Sequence, residues 1–259
     1  MRQLQMLLVA AAVVASTILV GCGKKEEKSN TGTTEMKAPA VDPATAATIT
    51  GTVVFDGKAP ERTPIKMNAD AICAQQHSTP VLMENVVVNA NNTLKNVFVY
   101  VKKGLEGKKF DPPADAVTIN QEGCTYHPHV FGMMVNQPLK ILNSDATLHN
   151  IHALPTINTQ FNIGQPVKGM STEKTFDKPE VMVHFKCDVH PWMTAYVGVL
   201  EHPFYAVTGD DGAFALKDLP PGTYTIEAWQ EQYGSQTQEV TIAAKESKAI
   251  TFTFKAPAM

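Results

Sequence analysis

Cys187, His190 and Met193 stand three residues apart in the stretch Cys187-Asp188-Val189-His190-Pro191-Trp192-Met193. A thiolate, an imidazole and a thioether in one short loop are three of the donors of a type 1 (blue) copper site. There a cysteine and two histidines form the plane and a methionine binds weakly on the axis. The missing histidine must come from elsewhere in the chain, and Asp145-Ala146-Thr147-Leu148-His149-Asn150 offers His149. A lone Cys-x-x-His is commonly accidental, and a lone methionine at a strand end is commonly core. Their joint occurrence with an upstream His-Asn pair favours copper, held by His149, Cys187, His190 and Met193.

Such donors need rigid supports. Val181-Met182-Val183-His184-Phe185-Lys186 alternates as a strand does, with Val181, Val183, Phe185 and Cys187 on one face. Cys187 therefore arrives at a strand end pointing into an apolar interior, and Tyr196–Leu200 reads as the next strand. Upstream, Leu139, Ile141 and Asn143 alternate with Lys140 and Leu142 before a polar turn leads to His149. If residues 149–153 are extended, His149, Ile151 and Ala153 face one way and Asn150 and His152 the other. His149 is then the ligand, His152 an outer or surface residue, and Asn150 is free to bridge the two ligand segments by hydrogen bonds.

Residues Asn143 through His152 and Cys187 through Val199 resemble the ligand-bearing segments of cupredoxins, specifically the amicyanin and plastocyanin branch. The Cys-x-x-His-Pro-aromatic-Met loop and the His-Asn-x-His string are most similar to amicyanin. The resemblance covers roughly residues 106–204 and implies a Greek-key β-sandwich electron carrier with one copper on the four residues named. The segment Cys124-Thr125-Tyr126-His127-Pro128-His129 has no counterpart in it.

An apolar run from about Met6 to Val20 is short for a membrane span. It ends in Leu19-Val20-Gly21-Cys22, which resembles a bacterial lipobox. The resemblance implies a signal peptide over residues 1–21, lipidation of Cys22 and membrane anchoring without a span. Glycine after Cys22 is similar to outer-membrane sorting signals, so the expected location is the periplasmic side of the outer membrane, or the cell surface where there is none. Residues 22–46 are Lys, Glu, Ser, Thr, Ala and Pro with few large apolar side chains, the composition of a flexible tether. Export permits disulfides, and of the four cysteines Cys73 and Cys124 remain to pair. The rival is a second metal site on Cys124, His127 and His129. His77, His184 and His202 read as structural or surface residues.

The rest of the chain reads as short strands between Gly, Pro and Asp turns: residues 49–55, 96–101, 205–208, 213–216, 223–229, 238–242 and 249–254. Such spacing predicts an all-β sandwich. Gly51-Thr52-Val53, Thr208-Gly209-Asp210-Asp211-Gly212-Ala213-Phe214 and Leu219-Pro220-Pro221-Gly222-Thr223-Tyr224 resemble the carboxypeptidase regulatory-like (transthyretin-like, carbohydrate-binding-like) domain. Its two halves, residues 47–105 and 205–256, are separated by the cupredoxin-like interval 106–204. A cupredoxin nested in a regulatory-like sandwich is the expectation, with tandem or merged sandwiches as alternatives.

About 210 residues beyond the tether suit two small domains. The 44% apolar fraction supports real cores, and a net charge of −3 argues against nucleic-acid binding. No phosphate loop, HExxH pattern or Ser/His/Asp set is present, so the chain is expected not to be an enzyme. The expectation is a lipid-anchored carrier of single electrons to a redox partner protein. Copper capture and delivery, or a surface module binding glycan or protein, are the other readings.

Overall fold

Paired β-strands dominate the computed structural model, which describes residues 41–256. The expected signal peptide, the expected lipidation of Cys22 and most of the expected tether lie outside the described residues. Among the described residues no helix is long and apolar enough to cross a membrane. The first third of the chain supplies β1 (Ala47–Asp56), a short helix α1 (Ala71–Gln75), β2 (Val87–Val88), β3 (Leu94–Lys95) and β4 (Phe98–Lys103). The middle supplies β5 (Val117–Glu122), β6 (Thr125–His127), β7 (Val130–Met134), β8 (Leu139–Asn143), β9 (His149–Leu154), β10 (Phe161–Gln165), β11 (Ser171–Lys174), β12 (Glu180–Lys186) and β13 (Thr194–Leu200). The last third adds β14 (Tyr205–Val207), β15 (Ala213–Leu219), β16 (Gly222–Gln230), β17 (Gly234–Ile242) and β18 (Ser247–Lys255). The fold is all-β.

Two sandwiches result. In one, the sheet β15-β1-β18 faces the sheet β14-β4-β16-β17. Alternate side chains such as Ile49, Val53, Val99, Ile226 and Phe252 close a core between them. In the other, the sheet β10-β9-β12-β13-β7 faces β11-β8-β5-β6 across Ile119, Phe131, Ile141, Ile151, Phe185 and Val197. All strands of the second sandwich lie in the chain between β4 and β14, which are antiparallel neighbours with Tyr205 opposite Tyr100. The chain thus leaves one sandwich and re-enters it at adjacent strands, the geometry an insertion requires.

The sandwiches join through the second face of β4. Phe98 and Tyr100 point away from the first core and meet Val130, Leu200, Tyr196, Tyr205 and Trp229. Gly132 and Gly198 sit opposite each other in the parallel pair of β7 and β13. A Cβ on Gly198 would lie 2.3 Å from Phe98 Cζ, and one on Gly132 would lie 2.3 Å from Tyr205 Cε2. Two missing side chains therefore make the slot that receives the two rings.

The structure shifts two expected details. The strand expected from Asn96 starts at Phe98, because Asn96 takes a left-handed conformation with φ 61°. Val181 was expected on the buried face with Val183 and Phe185, yet it is 38% exposed. The β12–β13 register slips between Glu180 and Val183, and Met182 has φ 62°, so a bulge turns the first part of the strand over. From Val183 onward the alternation holds, which delivers Cys187 to the interior.

Candidate metal centre

Cys187 follows directly on β12, and the loop to β13 is folded tightly on itself. The Met193 amide donates to the His190 carbonyl at 2.9 Å, and the Cys187 amide donates to the Met193 carbonyl at 3.2 Å. His149 opens β9, which pairs with β12 through Lys186 and His152. His149, Cys187, His190 and Met193 are all buried. Nδ1 of His149 and Nδ1 of His190 lie 2.9 Å apart, and Cys187 Sγ lies 3.9 Å from His190 Nδ1. The three donor atoms fall within 4.8 Å of one another. Bonds of about 2.0–2.3 Å from one ion to nitrogen and sulfur span that spread, so the donor set fits a single soft transition metal. Met193 packs in the same buried cluster as Cys187.

The outer edges of both imidazoles end on carboxylates. Nε2 of His149 is 2.9 Å from Asp145 Oδ2, and Nε2 of His190 is 3.1 Å from Asp70 Oδ2. An ionised carboxylate only accepts, so each Nε2 carries a hydrogen and each Nδ1 faces inward, where a metal would displace any proton it holds. Burial works to lower the basicity of His149, but the bonds to Asp145 and Cys187 outweigh it and push the group up to about 8. Burial would raise the Cys187 thiol, yet hydrogen bonds from His149 and from the amides around it hold it below the usual thiol range. That favours the thiolate a metal needs. The Asp145 carboxyl stays below its ordinary value against its own burial, through His149 and the amides of Cys124 and Gly123.

Asn150 ties the two ligand segments together. Its Oδ1 accepts the Asp188 amide at 2.8 Å and lies 3.3 Å from Cys187 Sγ. Its Nδ2 donates to Asn162 Oδ1 at 2.6 Å, while its carbonyl accepts the Tyr126 hydroxyl at 2.5 Å. His152 points outward to Asp188 and Gln160.

Cys73 and Cys124 form a disulfide. The alternative second metal site on Cys124, His127 and His129 is therefore corrected: the Cys124 sulfur is bonded to Cys73, and the two histidines turn elsewhere. His127 is exposed with Nε2 against Thr125 Oγ1 at 2.7 Å, whereas His129 reaches Glu231 at 2.5 Å and the Thr194 carbonyl at 3.2 Å. Of the histidines read as structural, His77 bonds the Gly123 carbonyl, His184 bonds Thr194 and His202 bonds the Val101 carbonyl. Asp70 and Asp145 were missed in the sequence. Asp145 had a local signal, four residues before His149, but Asp70 had none until the disulfide brought its segment over the loop.

Residues 191–255 match the model of the carboxypeptidase regulatory-like domain family. The match runs from inside the ligand loop through β18, and so takes in β13 of the second sandwich. Solved structures that align with part of this chain include three copper proteins. A methionine-to-glutamine mutant of amicyanin in its Cu(I) form aligns with 34% of this chain and 86% of its own, at 19% identity and a TM-score of 0.30. A purple cupredoxin from Nitrosopumilus maritimus aligns with 33% of this chain and 99% of its own, at 23% identity and a TM-score of 0.28. The copper-containing nitrite reductase of Thermus scotoductus SA-01 aligns over 39% of this chain and 25% of its own, at 20% identity and a TM-score of 0.30. No curated protein matches the chain.

Proposed function

We propose that this protein is an exported, lipid-anchored type 1 copper protein that passes single electrons to and from a redox partner. The observation that carries the reading is the buried convergence of His149, Cys187 and His190, with both histidines turned so that Nδ1 faces inward. Copper held by these residues and Met193 would supply a one-electron couple, with the thiolate as the strongly coupled ligand. Cys187 is presented as an acidified sulfur at a strand end. Asp145 and Asp70 fix the imidazoles, and Asn150 holds the loop against β9. Donors on β9 and on a tight loop between the paired strands β12 and β13 leave little to rearrange when the metal changes charge.

Two imidazoles and a thiol converge, and Met193 is buried in the same cluster as Cys187, which favours electron exchange over substrate chemistry at an open coordination position. Anchoring through Cys22 after cleavage of residues 1–21 accounts for the apolar leader and the polar tether. Titration of the purified protein with Cu(II), read by visible spectrum and total copper, tests the reading. One equivalent should produce an intense thiolate-to-copper band that Cys187→Ser abolishes. A folded protein with a free Cys187 thiol and no band would sink it.

A further inference from the structure

The segment between β1 and β2 belongs in sequence to the first sandwich, yet it lies across the ligand loop of the second. Met67 and Cys73 pack with Cys124, against Ile65, Val81 and Trp192, and the Trp192 indole donates to the Cys124 carbonyl at 2.9 Å. Where this strap crosses the loop, it presents Asp70. One oxygen of that carboxylate caps α1, accepting the amides of Ile72 at 2.8 Å and Cys73 at 3.2 Å. The other accepts Nε2 of His190 at 3.1 Å and stands 3.4 Å from Thr147 Oγ1. Cys73 Sγ lies 3.5 Å from the same His190 nitrogen, so the imidazole is only 2% exposed.

The disulfide relates this arrangement to the other histidine. The Cys73 amide ends on Asp70, and the Cys124 amide ends on Asp145 at 2.8 Å, the carboxylate that holds His149. One cystine thus anchors both anions behind both candidate ligands. Asp145 comes from the same sandwich as the site, four residues from its histidine. Asp70 is delivered from 120 residues away by a strap that the cystine pins down.

We infer that Asp70 is a positioning residue for His190: it fixes the imidazole with hydrogen on Nε2 and sets a negative charge behind it, so that the site favours Cu(II) over Cu(I). The statement about copper rests on the type 1 reading; the statement about the imidazole does not. A carboxylate behind a ligating imidazole raises the ligand's basicity. The more highly charged Cu(II) gains more from that than Cu(I), and the reduction potential falls.

Asp70→Asn and Asp70→Ser test this in the full chain. Both replacements are good helix N-caps, so α1 keeps its start. Asparagine removes the charge, and serine is too short to reach His190. Nitrogen-15 NMR of the imidazoles in metal-free protein should show His190 with hydrogen held on Nε2 in wild type, and on both nitrogens in exchange in Asp70→Ser. His149 should keep its hydrogen on Nε2, where Asp145 holds it. In copper-loaded protein both variants should keep the band at one equivalent while the Cu(II)-to-Cu(I) affinity ratio drops about tenfold, a rise of about 59 mV for one electron. A wild-type His190 without a fixed tautomer, or one left unchanged by Asp70→Ser, would overturn the positioning role whether or not copper gives a band. A fixed tautomer with an unmoved potential would overturn the charge effect. Loss of thermal stability with neither readout moved would make Asp70 a helix cap only. Absence of the wild-type band beside the expected tautomer shift would instead count against the copper reading.

Discussion

The side-chain oxygen of Asn150 accepts the amide hydrogen of Asp188 at 2.8 Å, binding the strand that carries His149 to the loop that carries Cys187, His190 and Met193. The two ligand segments are far apart in sequence, and the β9–β12 ladder ends at Lys186, just short of the loop. Asn150 extends that ladder by one side-chain bond. Its own amide is held by Asn162, so the bridge has a fixed orientation.

Replacing Asn150 by Ala should therefore loosen the loop without removing a ligand. Outer partners of metal ligands are worth roughly 10–100-fold in metal affinity. Asn150→Ala should lose copper to a chelator at least about tenfold faster than wild type, while its band is preserved in shape. Equal loss rates would show that the loop holds itself.

Met193 is buried beside Cys187 in an apolar cluster, where Met-to-Leu exchange nearly conserves volume. Met193→Leu should cost less than about 1.5 kcal/mol in stability and still bind one copper. Removing a weak thioether donor withdraws electron density from Cu(II) more than from Cu(I), so the potential should rise. Voltammetry checks this, and an unchanged potential would place the axial donor elsewhere.

How the copper loop could be read from sequence, and its surroundings could not, follows from the range of the interactions. Cys187, His190 and Met193 are local, and the period-two pattern of Val183 and Phe185 announces the strand that aims Cys187. The same alternation lets only one of His149 and His152 face the site, and the structure puts His149 in the buried group. Val181 escaped the pattern because a bulge at Met182 reverses the face, and no periodicity encodes a bulge. Asp70 escaped because its partner is set by the tertiary path of a strap. The slot at Gly132 and Gly198 is likewise a relation between sandwiches: each glycine alone reads only as a weak spot in a strand.

The Cys73–Cys124 bond closes a loop of 51 residues. On the chain-entropy model such a closure contributes about 4 kcal/mol by restricting the unfolded chain. The Cys73→Ser/Cys124→Ser double variant should unfold at correspondingly lower denaturant. It should also lose protection in the strap first, visible as faster amide exchange around residues 65–83 than in β9 or β12. Uniform loss across both regions would mean that the strap and the sandwich unfold together.

Glu180 gives the acid limb of stability. It is buried at the start of β12 and receives the amides of Thr156, Ile157 and Asn158 and the Asn158 side chain. Burial would raise its pKa, but these donors outweigh it and hold the group down to about 2. A depressed carboxylate contributes fully above its unfolded value near 4.5 and loses that contribution as pH falls towards 2. The contribution is on the order of 3 kcal/mol. Melting temperature should fall between about pH 5 and pH 2 in wild type, and less steeply in Glu180→Gln, which starts lower. Parallel slopes would assign acid sensitivity to other carboxylates.

The junction between the sandwiches is tightly packed at Gly198, where an added Cβ would sit 2.3 Å from Phe98 Cζ and 2.5 Å from Cε1. Phe98 is itself packed against Tyr100 and Tyr205, with ring centroids 5.5 and 5.6 Å away, so the ring has nowhere to retreat. Overpacking of this kind costs about 1–3 kcal/mol, and Gly198→Ala should lower the unfolding free energy by that amount. Phe98→Leu alone should also destabilise, by leaving the slot underfilled. If the clash is the cause, the double variant should lose less than the sum of the two single losses, because the shorter side chain gives the new methyl room. Additive losses would mean that Gly198 matters for its backbone and not for the ring it admits. Because β13 also bears Thr194 next to Met193, the copper band of Gly198→Ala reports whether strain at the junction reaches the ligand loop: the paired residues Ala195, Tyr196 and Val197 separate Gly198 from Thr194, so the band should be unchanged while stability falls.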